Sequence, residues 1–208
     1  CRHEAFRGDG AFGQFCIMMP EKDAVVAITS GVGDMQAVEN EVWEHLLPAM
    51  QKDQLPKSDS EKDIRKKLAT LAIPAPVGEA ASPTAGRVSG HTYKFDANEQ
   101  KLQSVSLTFT NNACKLVLQN QRGNNVIPCG SDEWSRGVTS HADEPNSKVA
   151  ARGAWTTPDT YTVTLCIYET PFIQTMSFLF EADQVTMHSK WNVGFSQTEP
   201  PSVVGRLS

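Results

Sequence analysis

Apolar and polar residues alternate with a period of two over most of the second half of the chain. Val105, Leu107 and Phe109 form one such set, and Cys114, Leu116 and Leu118 a second. Tyr161, Val163, Leu165 and Ile167 form a third, Phe172, Met176, Phe178 and Phe180 a fourth, and Val185, Met187 and Trp191 a fifth. Period-two alternation gives a strand with one wet face. Adding 92–95, 126–129 and 149–155 predicts about eight strands within 87–208, joined by turns such as Gln121-Arg122-Gly123-Asn124 and Glu181-Ala182-Asp183. Regular short strands without a helical period predict a mainly β domain, an antiparallel up-and-down β-barrel, because closure removes exposed sheet edges.

The first half reads differently. Residues 13–19 and 24–29 are apolar strand-like runs around Pro20-Glu21-Lys22-Asp23, which predicts a hairpin. Asp34 is placed to cap a helix in which Met35, Val38, Val42 and Leu46 recur at helical spacing, with Pro48 as its stop. Ser58-Asp59-Ser60-Glu61 has the form of a capping box, followed by Ile64, Leu68 and Leu71 on one stripe. Glu61–Arg65 and Asp63–Lys67 are pairs on its outer side. The Pro- and Ser-rich stretches at 73–78 and 82–86 read as extended linker. The expected organisation is therefore 1–50, a connector at 51–86, and the barrel at 87–208, α+β overall.

Composition narrows the function. The formal charge is -5, which opposes a nucleic-acid or anionic-membrane surface. No apolar stretch reaches the roughly 20 residues of a membrane span. Five cysteines, Cys1, Cys16, Cys114, Cys129 and Cys166, are too few and too scattered for a disulfide scaffold, so a reducing, cytoplasmic setting is expected. A Cys114–Cys129 bridge across a hairpin stays open. No C-x-x-C occurs, and His3-Glu4 lacks the second His of a zinc helix, so neither metal nor cofactor is expected. The chain contains no S-x-x-K, Tyr-x-Asn, Lys-Thr-Gly or G-x-S-x-G, and its five histidines are dispersed. Asp132-Glu133 and Asp143-Glu144 read as solvated loop charges. Gly8-Asp9-Gly10-Ala11-Phe12-Gly13 has the letters of a dinucleotide loop but precedes a strand.

The segment from Arg7 to Gly31, with Gly10-Ala11-Phe12-Gly13-Gln14, the apolar strand and Pro20-Glu21-Lys22-Asp23, resembles the end of the β-lactamase-related serine hydrolases, which include class C β-lactamases and penicillin-binding proteins. The resemblance implies that 1–50 are the last strands and helix of a bacterial-type catalytic domain. Its nucleophile would lie upstream of Cys1, where no initiator Met or signal peptide precedes the chain. It implies that Gly10, Ala11, Phe12, Gly13 and Gln14 edge a substrate site, with the Ala11 N–H as oxyanion donor. It also implies a fragment inactive alone, an esterase, amidase or peptidase when whole. The missing catalytic portion is then a partner, and so is a second copy of the chain meeting through 1–50, because a hairpin and one helix are expected to lack their own core.

The alternative function is a non-catalytic barrel binding a small ligand or partner. Trp134, Trp155, Tyr161, Phe178 and Trp191 are the candidate lining residues. Gly153-Ala154-Trp155 has the spacing of the G-x-W found in lipocalins, which it resembles to that extent.

Overall fold

The computed structural model describes residues 4–53, 58–141 and 145–208. Cys1, His3, Asp143 and Glu144 lie outside the described residues. The chain divides into two compact units, Cys1–Pro74 and Ala75–Ser208.

In the first unit, β1 (Phe6–Gly10), β2 (Gln14–Met19) and β3 (Ala24–Ile28) form an antiparallel meander. Alternation along β2 puts Phe15, Ile17 and Met19 inside and Met18 outside. The turn to β3 is a single 3-10 turn at Pro20–Lys22, closed by Asp23 in the left-handed region at φ 49°. Asp34 caps α1 (Met35–Glu41), its carboxylate accepting the Ala37 N–H at 3.1 Å. The helix does not stop at Pro48. It widens into a π-helical stretch, Val42–Leu46, and runs through the proline as α2 (Leu47–Ala49). Proline has no N–H to donate and crowds the preceding turn, and a wider turn accommodates both. The extra residue also shifts the helical phase. Val42 and Trp43 are buried and Leu47 packs inward, while Leu46, expected in the stripe, is 40% exposed.

Ala5, Phe15, Ile17, Met19, Val42 and Trp43 thus make a core between sheet and helix. The expectation that these elements lack a core of their own is corrected: π-bulge and sheet complete one locally. Glu39, 2% exposed, pairs with Arg7 and ties α1 to β1. α3 (Ser60–Ala69) forms as expected, but Ile64, Leu68 and Leu71 all face solvent. Its start is no capping box either. The Ser58 hydroxyl accepts the Ser60 N–H at 3.2 Å, and Glu61 pairs with Arg65 at 2.7 Å.

The second unit opens with a segment that composition reads as linker. Glu79 exchanges two backbone hydrogen bonds with Trp155, at 2.8 and 3.0 Å. A Cβ on Gly78 would come 2.2 Å from the Trp155 carbonyl oxygen, so the close approach requires glycine. α4 (Pro83–Val88) follows, capped by Ser82, whose hydroxyl accepts the Thr84 N–H at 3.1 Å.

Ten strands follow: β4 (Thr92–Phe95), β5 (Leu102–Thr110), β6 (Ala113–Asn120), β7 (Gly123–Gly130), β8 (Ser135–Thr139), β9 (Ser147–Thr157), β10 (Thr160–Cys166), β11 (Ile173–Glu181), β12 (Gln184–Trp191) and β13 (Val203–Leu207). Nine close a ring in the order β4-β5-β6-β7-β9-β10-β11-β12-β13, with β13 paired back to β4. The closed up-and-down barrel is as expected. β8 and β13 are additional to the expected strands. β8 pairs with β9, which also meets β7 at a single bridge, Gly130–Arg152. β13 completes closure between β12 and β4.

The core is the inside of this ring. Leu116, Leu118, Ile127, Val163, Leu165, Met176, Phe178 and Met187 are all fully buried.

Candidate functional site at the open end of the barrel

The two ends of the barrel are built differently. α4 crosses the end that carries the β9–β10 turn. Its Val88 and Ala85 pack on the core. The Ser82 hydroxyl donates to the Pro158 carbonyl at 2.5 Å, and the Thr84 hydroxyl to the Asp159 carboxylate at 2.7 Å. Arg87 pairs with the same carboxylate at 3.2 Å. On the other side the Ser89 hydroxyl accepts the Phe109 N–H at 2.9 Å, so the helix is held to both walls.

Beneath it lies an aromatic cluster. Phe109 lies tilted against Trp155 with centroids 5.0 Å apart and meets Tyr161 edge-to-face at 4.9 Å, and Trp155 reaches Phe180 at 6.0 Å. Cys114 and Cys129 face each other across the β6–β7 ladder, both buried and both free thiols. Burial pushes both thiols up, Cys129 to about 12, and Cys114 is raised further by Cys129 beside it. Burial likewise raises the Tyr161 phenol, which hydrogen-bonds Cys114. Such thiols and phenol stay protonated at neutral pH and serve as packing.

The opposite end is open. A pocket of about 430 Å³ lies there, between the 167–172 turn, the loop after Trp191 and the start of β9. Ile167, Phe172, Trp191, Val193 and Phe195 give it an apolar wall. Phe172 and Trp191 meet edge-to-face at 6.3 Å and 87°. His141, Ser147, Thr170, Gln197 and Thr198 bring polar atoms, and among the described lining residues there is no Asp, Glu, Lys or Arg.

Both loops hold their shape through their own bonds. The Trp191 N–H donates to the Thr198 carbonyl at 2.8 Å and closes the neck of the 192–197 loop. The Asn192 carboxamide accepts the Ile173 N–H at 2.7 Å and donates to the Pro171 carbonyl at 2.9 Å. The Ile167 N–H donates to the Phe172 carbonyl at 3.1 Å.

His141 is the group that the sequence hides. Its Nε2 lies 2.9 Å from Oε1 of Gln174, which is itself 3% exposed on β11. Its Nδ1 is buried with no hydrogen-bond partner among the described residues. Burial lowers the ring's pKa and the Gln174 bond offsets part of that. The ring is therefore neutral at pH 7, with Nε2–H donating to Gln174 and Nδ1 left as a bare acceptor. A lone histidine in a polar stretch carries no sign of this, because Gln174 lies 33 residues further on.

The residues singled out from the sequence fall in separate places. Trp155, Tyr161 and Phe178 are core. Trp134 lies partly buried in the β7–β8 connection at the α4 end, and Trp191 lines the open-end pocket. Gly10, Ala11, Phe12, Gly13 and Gln14 come together as the β1–β2 hairpin tip. Phe12 and Gly13 have φ of 63° and 85°, and a Cβ on Gly13 would sit 2.2 Å from the Ser30 hydroxyl. That hydroxyl lies 2.7 Å from the Gly13 carbonyl, the Val32 N–H donates to the Phe12 carbonyl at 3.1 Å, and the Gln14 amide donates to Ser30. These bonds hold the turn in shape.

One cluster has the elements of a nucleophile–base–acid set. His188 Nδ1 lies 3.3 Å from the Ser202 hydroxyl and Nε2 3.1 Å from Glu199. The His188 and Glu199 side chains are 45% and 49% exposed, Lys190 shares Glu199 at 3.3 Å, and Ser202 is exposed. These residues stand outside the pocket, in water. No group of three His, Cys, Asp or Glu side chains suited to a metal ion occurs among the described residues. None of the described helices is long and apolar enough to cross a membrane.

No protein-family model matches the chain, and no curated protein matches it. Solved fatty-acid-binding proteins do. One from Drosophila melanogaster brain is 12% identical, covering 57% of this chain and 98% of its own, with a TM-score of 0.43. The Schistosoma mansoni protein, solved with arachidonic acid, is 12% identical over 62% and 100%, with a TM-score of 0.46. Fatty-acid-binding protein 1 of Echinococcus granulosus is 9% identical over 57% and 96%, with a TM-score of 0.44. The resemblance to β-lactamase-related, penicillin-binding-protein-like serine hydrolases is overturned by these matches, and the hydrolase assignment goes with it. At such identity and TM-score the matches bring no ligand to this chain, and the barrel rests on its own ladder pattern.

Proposed function

We propose that the barrel is a non-catalytic binding module for a small ligand, held in the open-end pocket. The observation that carries the reading is the pocket itself. Its volume of about 430 Å³ lies in the usual range for small-molecule sites, roughly 300–1,000 Å³. It joins an aromatic wall to a few polar groups, and its loops are braced by hydrogen bonds of their own, so little ordering is left for binding to bring about. The lumen is a poor alternative. A ligand there would have to displace Leu116, Leu165, Met176 and Phe178, which are fully buried, and interiors packed to crystal-like density do not open without cost. A surface trio in water gives no dry, preorganised place for charge to develop, which supports the non-catalytic part of the reading.

The full chain should take up 1-aminoanthracene, a neutral fluorophore that brightens away from water, with one site per chain. Paired Phe172→Ser and Val193→Ser substitutions should weaken uptake at least about tenfold. Undiminished uptake by that variant would move the site elsewhere and end the proposal.

A further inference from the structure

We infer that two copies of the chain associate by exchanging α3, each laying the apolar stripe of its helix on the outer face of the other's three-stranded sheet. The inference is independent of the ligand-binding reading above and concerns the first unit alone.

The sheet turns one face to α1 and leaves the other bare. Strand register puts Phe6, Met18 and Val25 side by side across β1, β2 and β3 on that outer face, with Gly8, Cys16 and Ala27 in the next row. All six are exposed, Phe6 and Val25 at 63% and 66%. Gly10 and Gln14 complete the face, so none of its strand residues is charged. The charges of β1, Arg7 and Asp9, stand on the helix side, where Arg7 meets Glu39. Antiparallel strands whose outer face stays in water carry polar residues there. A contiguous apolar face marks a contact surface instead.

The same unit carries a surface that fits it. Every residue of α3 is exposed, and Ile64, Leu68 and Leu71 form a bare stripe, each more than half exposed. So short a helix is marginal in water, and packing of its apolar face is what stabilises it. From Ile64 to Leu71 the stripe runs about 10 Å, which matches the width of three strands, also about 10 Å. Charge matches as well. Glu21 and Asp23 stand exposed in the turn beside Met18 and Val25, and the Lys22 between them reaches away to the Met50 carbonyl at 3.2 Å. The last turn of α3 carries Lys66 and Lys67, of the sign that an acidic rim attracts.

The occupant is the helix of a second copy, because the chain's own α3 leaves the sheet bare. Exchange covers both surfaces at once, whereas two sheets stacked face to face would leave both helices uncovered. Running in both directions, it closes the pair about a two-fold axis and does not propagate.

The test is sedimentation equilibrium of the intact chain in reducing buffer. The native protein should dimerise with a Kd of about 1–100 μM. Met18→Glu and Leu68→Lys alter residues that are exposed in the single chain, so both should keep the native circular dichroism, and each should weaken the dimer at least about tenfold. Val25→Glu and Ile64→Lys serve the same comparison should either not fold. Mixed in equal amounts, the sheet variant and the helix variant should associate more tightly than either alone, because the mixed pair holds one native contact and one Glu–Lys contact. Alkylation of Cys16, fast in dilute protein, should slow as concentration rises into the dimer range. A chain that stays monomeric up to about 1 mM, a dimer indifferent to the helix variant, variants that gain nothing on mixing, or a Cys16 rate independent of concentration would each overturn the exchange.

Discussion

Gly153 and Tyr161 share one space inside the barrel. Tyr161 stands beside Trp155 in the β9–β10 ladder and leans along the strand, so that a Cβ on Gly153 would lie 2.2 Å from its hydroxyl. The Gly-Ala-Trp triplet is therefore a packing device. The glycine admits the tyrosine, and the tryptophan two residues on fills the layer beside it. Gly153→Ala is expected to overpack this layer and lower unfolding free energy by about 1–3 kcal/mol in urea melts. The double variant Gly153→Ala, Tyr161→Phe should recover little of the loss, because the ring carbons Cζ and Cε1 would still lie 2.5 and 2.8 Å from the new Cβ.

The cysteines should separate by reactivity. Cys16 is exposed, whereas Cys114 and Cys129 are buried thiols held protonated. Iodoacetamide at pH 8, read by peptide mass mapping, should label Cys16 in the native protein within minutes. Cys114 and Cys129 should be labelled only when denaturant opens the barrel.

His141 gives the fold a pH dependence of definite sign. Its native pKa lies below the ordinary value of about 6.5. Between the two values the unfolded chain takes up a proton that the native ring refuses, so stability is full above about pH 6.5 and falls as pH drops toward the native pKa. Urea melts from pH 7.5 to 5 should show His141→Gln losing less stability over this window than the native protein. Parallel curves would mean the ring is not held neutral.

The Ser202–His188–Glu199 trio should be inert. Hydrolysis of p-nitrophenyl acetate by the full chain should be unchanged by Ser202→Ala, because the trio lies in water outside the pocket. A drop in rate on that substitution would make the trio a working nucleophile and contradict the non-catalytic reading.

The barrel was legible because one face of each strand is dry and the other wet. Val105 and Leu107, Leu116 and Leu118, Val163 and Leu165, and Met176 and Phe178 are buried as their alternation requires. β8 and β13 were not legible: Ser135-Arg136-Gly137 and Gly205-Arg206 interrupt the apolar period, and what makes them strands is a neighbour with free hydrogen-bonding groups. α4 is six residues long, too short for periodicity. Its signal was local, Ser82 before Pro83, a cap residue followed by the residue favoured at the first helical position. The aromatic residues could be seen but not sorted, since inner layer, end loop and pocket wall look alike in sequence. Trp155, Trp134 and Trp191 went to those three places. His141 needed a partner that only the fold supplies.

The fastening of α4 to the β9–β10 turn also has a kinetic consequence. With Thr84 and Arg87 both anchored on Asp159, that end of the barrel offers no exit, so a molecule held at the far end leaves by the way it entered. If the proposed binding holds, its residence time depends on a few bonds, chief among them the Trp191–Thr198 neck of the 192–197 loop, and little on the strength of the barrel beneath. On the proposed binding reading, the aromatic wall and the 192–197 loop are then two separate handles on a held molecule, one for its affinity and one for its dwell time.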